Sequence, residues 1–61
     1  MENCLQFRYK VVRVDGSHTF VNEKHMSFEN GLKQAFIWAN VHNVSFVDFY
    51  FNDKKISTFY H

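Results

Sequence analysis

The 61-residue chain has no proline, two glycines and a single cysteine. Cys4 has no second thiol to pair with, so no intrachain disulfide can staple the fold. No run of about 18 apolar residues is present, which excludes a membrane-spanning helix. Met1-Glu2-Asn3-Cys4 lacks the basic and apolar regions of a signal peptide. A cytoplasmic protein is expected, and the Met1 start reads as a complete small gene product. Seven Lys/Arg against six Asp/Glu leave a charge of +1, far from the strongly basic balance of a phosphate-backbone binder. Repeats, low-complexity tracts and linker-like stretches are missing as well, so residues 1–61 form one domain.

At this size folding buries only about 60% of the surface of the open chain. Ordering costs roughly 1.5 kcal/mol per residue, which nearly cancels the burial gain unless the core is unusually rich. The chain does hold eight Phe, three Tyr and one Trp. Rings bury on the order of 150–250 Å² each, so they carry the fold, a partner surface, or both.

Residues 5–14 alternate: Leu5, Phe7, Tyr9 and Val11 on one side, Gln6, Arg8 and Lys10 on the other. Period two in β-rich content predicts a half-buried strand, with a bulge or the end of regular pairing where Val11 and Val12 break the phase. Asp15-Gly16 predicts a two-residue type I′ turn, setting Val14 opposite Ser17, Arg13 opposite His18 and Val11 opposite Phe20. The polar second strand, residues 17–24, suits a sheet edge. Ser27 caps a helix, with Glu29 in its first turn. Phe28, Leu32, Ala35, Phe36 and Ala39 then form a one-faced stripe. Gly31 costs roughly 1 kcal/mol relative to Ala there, which a close approach to the sheet would compensate. Two asparagines in residues 40–43 end the helix. Residues 44–51 form a third strand, residues 52–55 a polar turn and residues 56–60 a short last strand. The fold class is therefore α+β: an antiparallel sheet of two hairpins with one helix packed on one face, in the order ββαββ.

One helix covers one sheet face. Phe7, Phe20, Phe28, Phe36, Phe49 and Phe51 suffice for the core beneath it. Alternation sends Val47, Phe49 and Phe51 one way and Val44, Phe46 and Tyr50 the other. Phe46 and Tyr50, joined by Tyr60 or Phe59, would then be exposed together, and contiguous apolar patches of that kind are rare unless used. Ile37 lies opposite Phe28 in the polar face of the helix and Trp38 at the edge of the stripe. Ile37, Trp38, Phe46 and Tyr50 are thus candidate apolar anchors for a partner, with Arg8, Lys10, Arg13, Lys54 and Lys55 as a charged rim. Curling of a strongly twisted sheet over its own rings is the bland alternative.

No catalytic site is expected. His18, His25, His42 and His61 show neither HExxH nor any paired zinc spacing, so no metal or other cofactor is expected. Cys4 has no neighbouring base to activate it, and Glu23, Glu29, Asp48 and Asp53 form no acid/base pair. Arg8, Lys10 and Arg13 on a strand face beside Phe46 or Tyr50 suit single-stranded RNA. The near-neutral charge and the missing RNP-like signature rank that class behind a protein partner. A homodimer joined through edge strands or sheet faces would also supplement a small core.

Three resemblances bear on function. Gly16-Ser17-His18-Thr19-Phe20 resembles the Gly-Ser-His stretch of HicA-type mRNA-cleaving toxins, which implies RNA cleavage at His18. Those toxins place a helix before this strand and a long basic helix after it. Here a strand comes first, and the later helix carries only Lys33. Lys10-Val11-Val12, Phe20 before Glu23, Met26 ahead of an acidic helix start, and Asp53-Lys54-Lys55-Ile56 after an apolar strand are similar to the Dmd antitoxins of T-even-type phages. That likeness runs from about Tyr9 to Phe59. It implies a non-catalytic protein that blocks a host RNase LS-type toxin. His18-Thr19-Phe20 and Ser27-Phe28-Glu29 with Leu32, Ala35 and Trp38 look similar to the small phage inhibitors of bacterial RNA polymerase, whose blocking surface is acidic, unlike this chain. The last two resemblances together lead to the expectation of a phage-type inhibitor, in the host cytoplasm, that binds a host toxin or defence protein stoichiometrically, with a HicA-like ribonuclease as an alternative.

Overall fold

A computed structural model describes residues 4–61. Strands β1 (Leu5–Arg13) and β2 (His18–His25) precede helix α1 (Phe28–Ala39), and β3 (Val44–Phe51) and β4 (Lys54–Tyr60) follow it. All pairings are antiparallel and the sheet order is β2-β1-β3-β4. The protein is an α+β, ββαββ fold. Because β2 and β3 flank β1, the helix that joins them must cross over β1. This crossing fixes where the core lies.

Tyr9, Val47 and Phe49 are fully buried, and Phe7, Val11 and Val44 nearly so. Gly31, Ala35 and Ala39, one turn apart, form the centre of the helix face set against them. The rings pack in sequence: Phe49 stacks between Phe7 and Tyr9 with centroids 5.6 Å from each. Phe28 meets Phe51 edge to face at 5.5 Å. Small residues let the helix sit low, and the expected close approach at Gly31 is found. A Cβ there would lie 2.5 Å from the Phe7 ring. The Tyr9 hydroxyl donates to the Gly31 carbonyl at 2.7 Å. The Ser27 hydroxyl accepts from the Asn30 amide at 3.1 Å and caps the helix, while Asn43 (φ 65°) makes the left-handed turn into β3.

The first hairpin departs from the sequence expectation. Gly16 donates to the Arg13 carbonyl at 2.9 Å and Arg13 to the Ser17 carbonyl at 2.8 Å. Gly16 (φ 91°) alone in this loop has positive φ. That is a three-residue loop, a type I turn closed by a left-handed glycine. Asp15 stays in ordinary φ space because its carboxylate accepts from the Ser17 amide (2.9 Å) and hydroxyl (2.7 Å). These bonds hold the carboxyl below its usual range. The extra loop residue shifts the register by one: Lys10, not Val11, faces Phe20. A one-residue slip sends every side chain of a strand to the other face. Val21, Glu23 and His25 therefore lie on the helix side, and Phe20 leaves the core for the open face, 42% exposed.

The type I′ turn occurs in the second hairpin, where Asn52 (φ 53°) and Asp53 (φ 61°) both take positive φ and Phe51 pairs with Lys54. β4 thus begins two residues earlier than expected. Two further corrections concern the core. Val44 is buried and not on the open face, because the register of β1 against β3 shifts between Val12 and Arg13. Phe36 is 48% exposed, a flank residue whose ring packs at a tilt against Phe59 with centroids 4.5 Å apart, which places Phe59 on the helix side.

Candidate functional site: the open face of the sheet

Strand alternation carried through the observed registers builds the face away from the helix. Arg8, Lys10 and Val12 of β1 lie beside Asn22, Phe20 and His18 of β2, and beside Tyr50, Asp48 and Phe46 of β3. Beyond β3 come Lys55, Thr58 and Tyr60 of β4. Lys24 continues the β2 row opposite Gln6. Four of the seven Lys/Arg (Arg8, Lys10, Lys24, Lys55) thus stand on the strands of this face with Asp48, and Asp53 adds a second carboxylate at its end, in the turn between β3 and β4. A nearly neutral chain presents a cationic surface.

The carboxylate in the middle of the face is held down. Asp48 is 7% exposed, accepts the Thr58 hydroxyl at 2.6 Å and lies 3.4 Å from the Lys55 ammonium. A buried carboxylate needs such partners. The rings are ordered too. The Arg8 guanidinium lies 4.4 Å from the centroid of the Phe20 ring, a cation–π arrangement. Phe46 and Tyr60 approach to 5.8 Å, Tyr60 being 75% exposed. His18 meets the Phe20 edge at 5.5 Å. At one end of the face Gln6, Arg8, Asn22, Tyr50, Asn52 and Asp53 line a half-open depression of about 320 Å³.

The structure divides the nine anticipated partner-binding residues. Arg8, Lys10, Phe46, Tyr50 and Lys55 meet on the open face. Ile37, 58% exposed, belongs to the opposite side, on the outer surface of the helix. Trp38 is half-buried on the helix side, its indole N–H donating to Glu23 at 2.9 Å. The other oxygen of Glu23 lies 2.8 Å from His25, so Trp38 ties β2 to the helix. Arg13, at the end of β1, bonds the Ser17 and Thr19 hydroxyls across the first hairpin. Lys54 is exposed and pairs with Phe51, a helix-side residue.

Phe20, Asn22 and Lys24 were missed as face residues because their side of the sheet depends on the loop length of the first hairpin. His18 and His25 stand on opposite faces, and among the described residues no three His, Cys, Asp or Glu side chains converge as a metal site. Cys4 is an exposed free thiol, 3.6 Å from the Met26 sulfur. No described helix is long and apolar enough to cross a membrane. No family model, curated protein or solved structure was found that matches the chain.

Proposed function

We propose that this protein is a non-catalytic binding protein whose open sheet face takes up a single strand of nucleic acid. The observation that carries this is the segregation of charge and rings: four cations, Asp48 neutralised by Lys55, Asp53 only at one end, and Phe20, Phe46, Tyr50 and Tyr60 on one surface. Cations that track a phosphate backbone, beside rings on which bases stack, are the two elements single-strand binders combine. Stacking is worth about 1–3 kcal/mol per base by alanine substitution. Anisotropy of a fluorescent single-stranded RNA octamer at low salt tests it. Phe20→Ala and Tyr50→Ala should each weaken binding roughly tenfold, and Ile37→Ala should change nothing. No binding by the wild type would sink the proposal.

A second reading is the phage-type inhibitor of a host toxin or defence protein, acting in the host cytoplasm. One observation favours it: Ile37 stands exposed on the far side of the molecule, where a strand on the open face leaves it unused. Capture of a stoichiometric protein partner that Ile37→Asp releases and Tyr50→Ala does not would select this reading.

A further inference from the structure

The depression at the end of the open face differs in chemistry from the rest of that face. Its volume, about 320 Å³, falls at the small end of ligand pockets, about 300–1,000 Å³. Three of its lining residues, Gln6, Asn22 and Asn52, carry side-chain amides; Asp53 adds a carboxylate, Tyr50 a ring and Arg8 a guanidinium. Neither the three amides nor the Asp53 carboxylate has a hydrogen-bonded side-chain partner among the described residues. Arg8 is held by the Phe20 ring, and Asn52 and Asp53 are fixed by the type I′ turn. Directional polar groups set by β1, β2 and the turn between β3 and β4, beside one ring, suit a flat polar ligand.

We propose that this depression binds a single guanine base, either within the strand that the proposed function places on the face or as a free nucleotide. The inference of a base in a strand rests on that proposed function. An ionised carboxylate only accepts hydrogen bonds. Guanine alone among the four bases offers two adjacent donors, its ring N–H and its exocyclic amino group, on the edge that single-strand readers use. Its O6 and N7 are acceptors, matching the amide N–H groups of Gln6, Asn22 and Asn52 and the guanidinium of Arg8. Tyr50 supplies the stacking surface. Uracil sets acceptors on both sides of its single donor and would face the Asp53 carboxylate with a lone pair.

The test is titration of the ¹⁵N-labelled protein with GMP, AMP, CMP and UMP, followed on the side-chain amide resonances of Gln6, Asn22 and Asn52. Octamers with and without one guanine are compared by anisotropy. GMP should shift these resonances at concentrations where the other three do not. Asp53→Asn should reduce the guanine preference about tenfold, within the range of one lost bidentate contact. Asparagine accepts the positive φ of residue 53, so this variant keeps the turn, and an unchanged thermal midpoint verifies it. Equal responses to all four nucleotides, or a preference that survives Asp53→Asn, overturn the guanine site. Octamers that bind without regard to guanine would reject the pocket and retain the strand-binding face. A GMP response without octamer binding would do the reverse, and silence from both ligands rejects both.

Discussion

Gly31 and Tyr9 show how much of this fold turns on single atoms. Alanine at position 31 would gain about 1 kcal/mol of helix propensity, yet its Cβ would stand 2.5 Å from two atoms and 2.7 Å from a third of the buried Phe7 ring. Overpacking of that kind costs about 1–3 kcal/mol, so Gly31→Ala should be destabilising overall in urea titration. Combined with Phe7→Leu, the loss should be smaller than the sum of the two single losses, because the smaller side chain vacates the space. Tyr9 adds a pH signature. Burial, reinforced by the nearby Glu23 carboxylate, raises its hydroxyl well above the ordinary value of 10.0. The folded state therefore keeps this proton where the unfolded state loses it. Its contribution is complete below pH 10.0 and lost progressively above it. Tyr9→Phe should cost about 1 kcal/mol at neutral pH, for the bond to Gly31. It should also flatten the alkaline fall in the urea midpoint that the wild type shows.

The two hairpins divide the turn chemistry in a way that element patterns alone do not reveal. Asp15-Gly16 is a strong type I′ signal, but the side chain of Asp15 is occupied by Ser17 and Gly16 alone turns left-handed. Asn52-Asp53, with no glycine, makes the type I′ turn because Asn and Asp tolerate αL. Gly16→Ala should destabilise the protein by about 1–2 kcal/mol through backbone strain alone, since nothing lies within 4 Å of the added Cβ. Gly16→Asn should recover most of that loss, as thermal midpoints would show. Strand β1, the limits of β3, the Ser27 cap and the tight place for Gly31 were legible in the sequence, because each rests on alternation, capping or spacing within one element. The side on which Phe20 stands was not. It depends on a loop of three residues against two, a choice settled by hydrogen bonds of Asp15 and Arg13 that no periodicity encodes. The candidate site was legible in the same proportion. Arg8, Lys10, Phe46 and Tyr50 follow from alternation within their strands, whereas Lys24 and Asn22 inherit the register of the first hairpin.

For the molecule as a whole, the net charge of +1 conceals two unlike sides. Glu29 pairs with Lys33 along the helix at 3.5 Å, and Glu23 is engaged with Trp38 and His25. The open face keeps Arg8, Lys10, Lys24 and Lys55, of which Lys55 is partly engaged by Asp48. A strand on this face would displace counterions from its phosphates in proportion to the cations that replace them, with a slope of about −0.7 per contact for single strands. Three to four contacts give a plot of log affinity against log salt with a slope of about −2 to −3. Lys10→Gln should make that slope shallower by about 0.7 without altering base preference, since phosphate contacts position a strand and do not read it. Lys33→Gln, on the helix side, should leave the slope unchanged. An octamer that binds with a slope near zero would mean that the rings act alone, and the cationic face would then have no part in holding the strand. Sedimentation of the free protein across a hundredfold range of concentration completes the measurement. A monomer throughout leaves the open face available to the strand, while a dimer broken by Phe46→Glu would show the same rings buried against a second copy.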